Sequence, residues 1–122
     1  MTRKKPPPVA IIRPRIAFSS KFAVGPGKID LLRAIAASGS ISGAARSLGM
    51  TYKRAWLLID SMNQGFGRPV VERSIGGKGG GGAWLTSRGE ALLRHYDDIE
   101  RVCQEAAASS LALLDALKLR KD

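Results

Sequence analysis

Residues 39–56 read Gly39-Ser40-Ile41-Ser42-Gly43-Ala44-Ala45-Arg46-Ser47-Leu48-Gly49-Met50-Thr51-Tyr52-Lys53-Arg54-Ala55-Trp56. Gly39 ends a preceding helix, and Ser40 follows as an N-cap whose hydroxyl can accept a first-turn backbone N–H. The short helix 41–48 turns Ala44, Ala45 and Leu48 inward, and Gly49 stops it. Met50-Thr51 forms the turn. Thr51 caps a third helix that runs to about Asn63, with Ala55, Ile59 and Met62 on one face.

Upstream, Ile29, Leu32, Ile35 and Ala36 recur at three- and four-residue intervals after Gly25-Pro26-Gly27, which predicts a first helix ending at Gly39. Ile11 to Phe18 has β character broken by Pro14, as in an edge strand. Met1 to Pro8 combines Arg3-Lys4-Lys5 with three prolines, so residues 1–10 read as an extended, disordered basic tail.

Downstream, Val70-Val71-Glu72-Arg73-Ser74 and Ala83-Trp84-Leu85 predict an antiparallel hairpin around Gly76-Gly77-Lys78-Gly79-Gly80-Gly81-Gly82, a run of six glycines and one lysine. Glycine brings no Cβ, so this backbone can run tight against another surface while Lys78 offers a cation at the tip. The run formally satisfies G-x-G-x-x-G. A dinucleotide site, however, needs that turn to open into a helix, and here a strand follows. No Gly-Lys-Ser/Thr ending makes a P-loop either. Thr86 or Ser87 caps a last helix, with Ser87-x-x-Glu90 at capping-box spacing.

A short helix, a Gly-containing turn and a capped third helix form the sequence pattern of a helix-turn-helix, and the hairpin that follows makes it winged. The predicted class is mostly α (α+β): a winged helix-turn-helix over 11–86, with a β-hairpin wing, and a long C-terminal dimerisation helix over 87–120. In that last helix Leu92, Tyr96, Ile99, Cys103, Ala106, Ser110, Leu113 and Leu117 fall at alternating spacings of four and three, an unbroken heptad seam. Its near end, Leu92, Leu93 and Tyr96, meets the domain. Beyond Ile99 the stripe outruns a compact domain and asks for a partner helix, so the dimer face runs Tyr96, Ile99, Cys103, Ala106, Ser110, Leu113, Leu117.

The chain has 122 residues, with 20 Lys/Arg against 10 Asp/Glu, a net charge of +10. Residues 1–90 hold 15 basic and 4 acidic side chains, net +11, and residues 91–122 hold 5 and 6, net −1. The polyanion-binding half therefore ends where the last helix begins. Cys103 and His95 each stand alone, which excludes an intramolecular disulfide, a Cys-rich metal cluster and a nucleophile–base–orienter set. No stretch approaches a membrane span, and prolines rather than an apolar run follow the basic N-terminus, so the chain reads as cytoplasmic, and the lack of a catalytic set argues against an enzyme.

Gly39-Ser40-Ile41-Ser42-x-Ala44-Ala45, Thr51-Tyr52-Lys53-x-Ala55-Trp56 and Val71-Glu72-Arg73-x-x-Gly76 through Gly82-Ala83-x-Leu85-Thr86 resemble the DNA-binding domain of the ModE family of molybdate-responsive regulators, over roughly residues 15 to 105. That domain is in turn similar to the winged helix of LysR-type regulators. The resemblance implies a homodimeric transcriptional regulator of molybdate-uptake and molybdoenzyme genes. The sequence stops where the family's paired molybdate-binding domains would begin: it reads either as a piece of a longer regulator or as a single-domain member, with no cofactor of its own and molybdate dependence unsettled.

On this reading the partner is double-stranded DNA carrying an inverted repeat. Tyr52, Lys53 and Arg54 read each half-site from the start of the third helix, and Ser42 and Thr51 contact phosphate. Arg73, Lys78, Gly79 and Gly80 lay the wing along the backbone. Trp56 either packs under the wing or touches a thymine methyl. Two other readings stay open, a non-specific nucleoid-type nucleic-acid-binding protein and an oxyanion (molybdate) binding protein.

Overall fold

A computed structural model describes residues 10–75 and 82–118. The elements run β1 (Ile16–Ala17), β2 (Ala23–Val24), α1 (Pro26–Ser38), α2 (Ile41–Ser47), α3 (Tyr52–Gly65), β3 (Val71–Arg73), β4 (Ala83–Leu85), α4 (Ser87–Ala106) and α5 (Ala108–Asp115). This is the winged helix-turn-helix architecture. Both sheets are antiparallel hairpins: β1–β2 pairs Ile16 with Val24, and β3–β4 pairs Val71 with Leu85 and Arg73 with Ala83.

Local chemistry sets the helix ends. Gly39 follows α1 at φ 73, a left-handed conformation that costs glycine nothing. Ser40 accepts from the Gly43 N–H, Thr51 from Arg54 and Thr86 from Gly89. Each such cap contributes about 1 kcal/mol. The last helix is thus capped by Thr86 and not through a Ser87-x-x-Glu90 box. The Thr86 hydroxyl also donates to the Pro69 carbonyl at 2.7 Å, which seats α4 on the strand side of the domain. Gly89 sits so close to the Val70 carbonyl that a Cβ would collide with it.

One core joins all these elements. Ile29, Leu32 and Ile35 of α1 meet Ala44 and Ala45 of α2 and Ala55, Ile59 and Met62 of α3, all 2% exposed or less. Tyr96 of α4 enters the same core at 1% exposure, and its hydroxyl donates to the Pro14 carbonyl at 2.6 Å. Burial, then the nearby Glu100 charge, raises the Tyr96 pKa above the ordinary phenol value. Tyr96 is therefore a core residue rather than part of an exposed dimer face.

Other expectations also need correction. Ala36 is exposed, its place on the buried face of α1 being taken by Leu31. Leu48 caps the C-terminus of α2 and is 37% exposed, because a helix of two turns ends before its side chain can reach the core. α3 continues to Gly65. Only Ile16 and Ala17 of the expected edge strand pair with another strand. Residues before them are tied to α4, where Gln104 accepts from the Ile12 N–H at 2.9 Å and donates to the Ala10 carbonyl at 2.7 Å.

The long helix is also interrupted. α4 ends at Ala106, Ala107 takes φ −99 and ψ 7, and α5 begins at Ala108. The bend follows closely on Gln104, where α4 is last bonded to the N-terminal segment. There Ala106, Ala107, Ala108, Ser109 and Ser110 provide little packing area, and serine is a weaker helix former than alanine or leucine. No described helix is long and apolar enough to cross a membrane.

Candidate nucleic-acid interface

The turn between α2 and α3 is fixed by backbone. Gly49 lies at φ 68, and the Met50 N–H donates to the Ala45 carbonyl at 3.0 Å. Thr51 then caps α3, so Tyr52, Lys53 and Arg54 occupy a first turn that precedes the first buried residue, Ala55. All three are exposed, as is Thr51.

At 100° per residue, α3 divides into four sides. Ala55, Ile59 and Met62 face the core. Lys53, Leu57 and Asp60 point opposite, to solvent. Tyr52 and Trp56 form one flank, and Arg54, Leu58 and Ser61 the other. Leu57 is 56% exposed, a large aliphatic side chain one turn beyond Lys53 on the outward face. Sequence reasoning passed it over because a leucine inside a helix reads as core; its angular distance from Ala55 and Ile59 was the available signal.

The β3–β4 hairpin meets α3 on the Trp56 flank. The Arg73 guanidinium lies 4.5 Å from the Trp56 ring centroid, and Tyr52 packs edge-on against Trp56 at 6.4 Å. Trp56 is half-buried against the core, the packing role of its two readings. Arg73 remains exposed, so its fork is open to an anion while the guanidinium sits over the indole. The hairpin base is anchored by Ser74 and Gly82, which exchange hydrogen bonds at 3.0 Å, and by the Ala83 N–H, which donates to the Gly39 carbonyl at 2.8 Å. Lys78, Gly79 and Gly80 lie outside the described residues.

Ser42 is exposed in the first turn of α2, close to the cap that starts that helix. On the other flank of α3 the Lys28 ammonium donates to the Ala23 carbonyl at 2.6 Å and to the Ser61 hydroxyl at 3.0 Å. Partial burial, followed by the charges of Arg15 and Arg54, lowers the Lys28 pKa below the ordinary lysine value. Lys28, at the start of α1, thus lies close to Arg15 and to Arg54 of the first turn of α3.

The C-terminal residues separate into two groups. Gln104 and Tyr96 are engaged within the domain, and Arg33 of α1 bonds both Asp97 and Glu100 of α4, the latter at 2.9 Å. Ile99, Ala106, Ser110, Leu113 and Leu117 are exposed, and Cys103 is half-buried. Among the described residues no group of three or more His, Cys, Asp or Glu is placed to hold a metal ion.

Residues 27–90 match the family described as bacterial regulatory helix-turn-helix protein, lysR family. The chain is 44% identical over 104 residues to the DNA-binding transcriptional dual regulator ModE of Escherichia coli, covering 85% of this chain and 39% of that protein. It is 48% identical over 77 residues to the molybdenum-pterin-binding protein MopB of Rhodobacter capsulatus, covering 63% of this chain and 28% of that one. The chain therefore spans less than two fifths of the length of these relatives. In fold it resembles a CbnR_DBD–DNA complex, with a TM-score of 0.57 at 22% identity over 72% of this chain and 95% of that one.

Proposed function

The chain belongs to the lysR family of bacterial regulatory helix-turn-helix proteins, and from that premise we propose that it is a sequence-specific DNA-binding transcriptional regulator. The observation that carries this reading is the first turn of α3, where Tyr52, Lys53 and Arg54 stand exposed beyond a Thr51 cap. An exposed helix start is the part of a helix-turn-helix that enters the major groove, and Lys or Arg there meets guanine O6 and N7. Leu57 adds an apolar contact suited to a thymine methyl. Ser42, Thr51 and Arg73 take phosphates, with Lys78, Gly79 and Gly80 extending the wing along the backbone.

The regulator acts in the bacterial cytoplasm, at the nucleoid, as a homodimer joined by the exposed apolar side of α4 and α5, from Ile99 to Leu117. Two-fold symmetry presents two copies of α3 to successive major grooves about 34 Å apart, which makes an inverted repeat the fitting operator. The relatives' names connect them with molybdenum, and the genes served here are those of molybdate uptake or molybdoenzymes.

Fluorescence anisotropy on genomic fragments retained by the protein and on random duplexes of equal length tests the reading. Retained fragments are expected to bind at least 1,000-fold more tightly, the lower end of specific recognition, and Lys53→Ala to cut that ratio by tenfold or more. A ratio near one would mean non-specific nucleoid binding instead.

A further inference from the structure

Two hairpins flank the reading helix. β3–β4 lies on its Trp56 side, as the Arg73 contact shows. β1–β2 lies on its Arg54 side, where Arg15, Lys21 and Lys28 line an open cleft of about 340 Å³ together with Leu58. Leu58 and Ser61 fall within about 60° of Arg54 around the helix, and Lys28 bonds Ser61 at 3.0 Å.

This second hairpin is firmly built. Phe18 and Phe22 stack at 5.3 Å, and Phe66, just past α3, meets their edges at 5.6 and 5.2 Å. A Cβ on Gly65 would strike the Phe22 ring, so the end of α3 is shaped to receive it. The Phe18 N–H donates to the Phe22 carbonyl at 2.9 Å, and the Ser19 hydroxyl accepts from Lys21 and Phe22 N–H groups. Lys21 is presented from a fixed turn.

Four cations are gathered here without compensation. Among the described residues no carboxylate forms an ion pair with Arg15, Lys21, Lys28 or Arg54, whereas Arg13 and Arg33 are both paired with carboxylates. Like charges held together raise the free energy of the unbound protein, and a polyanion relieves it.

We infer that β1–β2 is a second phosphate grip, in which Arg15 and Lys21 hold the DNA backbone on the side of the reading helix opposite β3–β4. Each protomer then clasps backbone on both sides of the groove it reads. The grip rests on the DNA-binding reading, and it lies ahead of residues 27–90, the region matched to the family.

The test is the salt dependence of binding by Arg15→Gln/Lys21→Gln, measured on a retained genomic fragment and on a random duplex. Each neutralised phosphate contributes about 0.9 to the slope of log affinity against log salt, so the double variant should lose about 2 on both duplexes and keep the ratio between them within twofold. Lys21→Gln alone, at an exposed turn, should lose about 1. Arg94→Gln/Arg101→Gln removes the same charge from α4 and should leave the slope unchanged. An unchanged slope in the hairpin variants, with the unmodified protein still binding, would overturn the grip and leave the DNA-binding reading standing. Equal flattening by the α4 variant would overturn it as an effect of net charge. An unmodified protein that binds neither duplex would overturn both.

Discussion

Tyr96 and Leu117 belong to one heptad stripe, yet Tyr96 is 1% exposed and Leu117 82% exposed. The near end of that stripe is absorbed by the domain: Leu92 packs against the core and Tyr96 bonds Pro14, while Glu100 and Gln104, beside the stripe on α4, bond Arg33 and the backbone of Ala10 and Ile12. The far half, across the bend at Ala107, carries Leu113 and Leu114 at 72% and 61% exposure. A hydrophobic period tells which side chains share a face. What covers the face depends on the rest of the chain, and here the cover changes from the protein's own core to, on our proposal, a second copy. Domain stability should reside in the near half and assembly in the far half.

The sharpest way to break this contrast is Tyr96→Ala. Removing a buried aromatic should cost about 3–5 kcal/mol, read as a lowered urea midpoint that is the same at every protein concentration. A cost that vanished on dilution would place Tyr96 in the subunit interface after all. Next in size is Leu113→Asp/Leu117→Asp, which should weaken the dimer about 100-fold, or about 2.7 kcal/mol, by sedimentation. The dilute protein should keep its unfolding free energy within about 0.5 kcal/mol. Loss of domain stability instead would show that α5 folds back on its own chain. The smallest effect, about 1 kcal/mol, is expected for Gln104→Ala. Faster hydrogen exchange at Ile12, with the dimer intact, would place the boundary between the halves beyond Gln104.

Much of the fold was legible because its signals are local. Ser40 and Thr51 announce their helices through side chains that reach three residues, and Gly39 and Gly49 mark stops through the one property that sets glycine apart. Ala55, Ile59 and Met62 followed from periodicity. What stayed hidden depends on partners distant in sequence. The β character of residues 11–18 said nothing of Gln104, which lies 92 residues from Ile12. Arg73 looked like a simple phosphate contact because nothing near it in sequence reveals its place over Trp56. Arg15, Lys21 and Lys28 form no motif in the sequence, and only the β1–β2 hairpin sets them beside Arg54. The bend at Ala107 escaped because the heptad count accepted Cys103, Ala106 and Ser110 as seam positions by spacing alone, although such small side chains hold a helix straight only weakly.

The central claim is that two copies of α3 read DNA, and hydroxyl-radical footprinting on a retained genomic fragment addresses it most directly. The account predicts two protected segments with inverted sequence symmetry, their centres one helical turn or a whole number of turns apart, about 10–10.5 base pairs each, with both segments weakened together by Lys53→Ala. A single protected segment, or uniform protection indifferent to sequence, would contradict it.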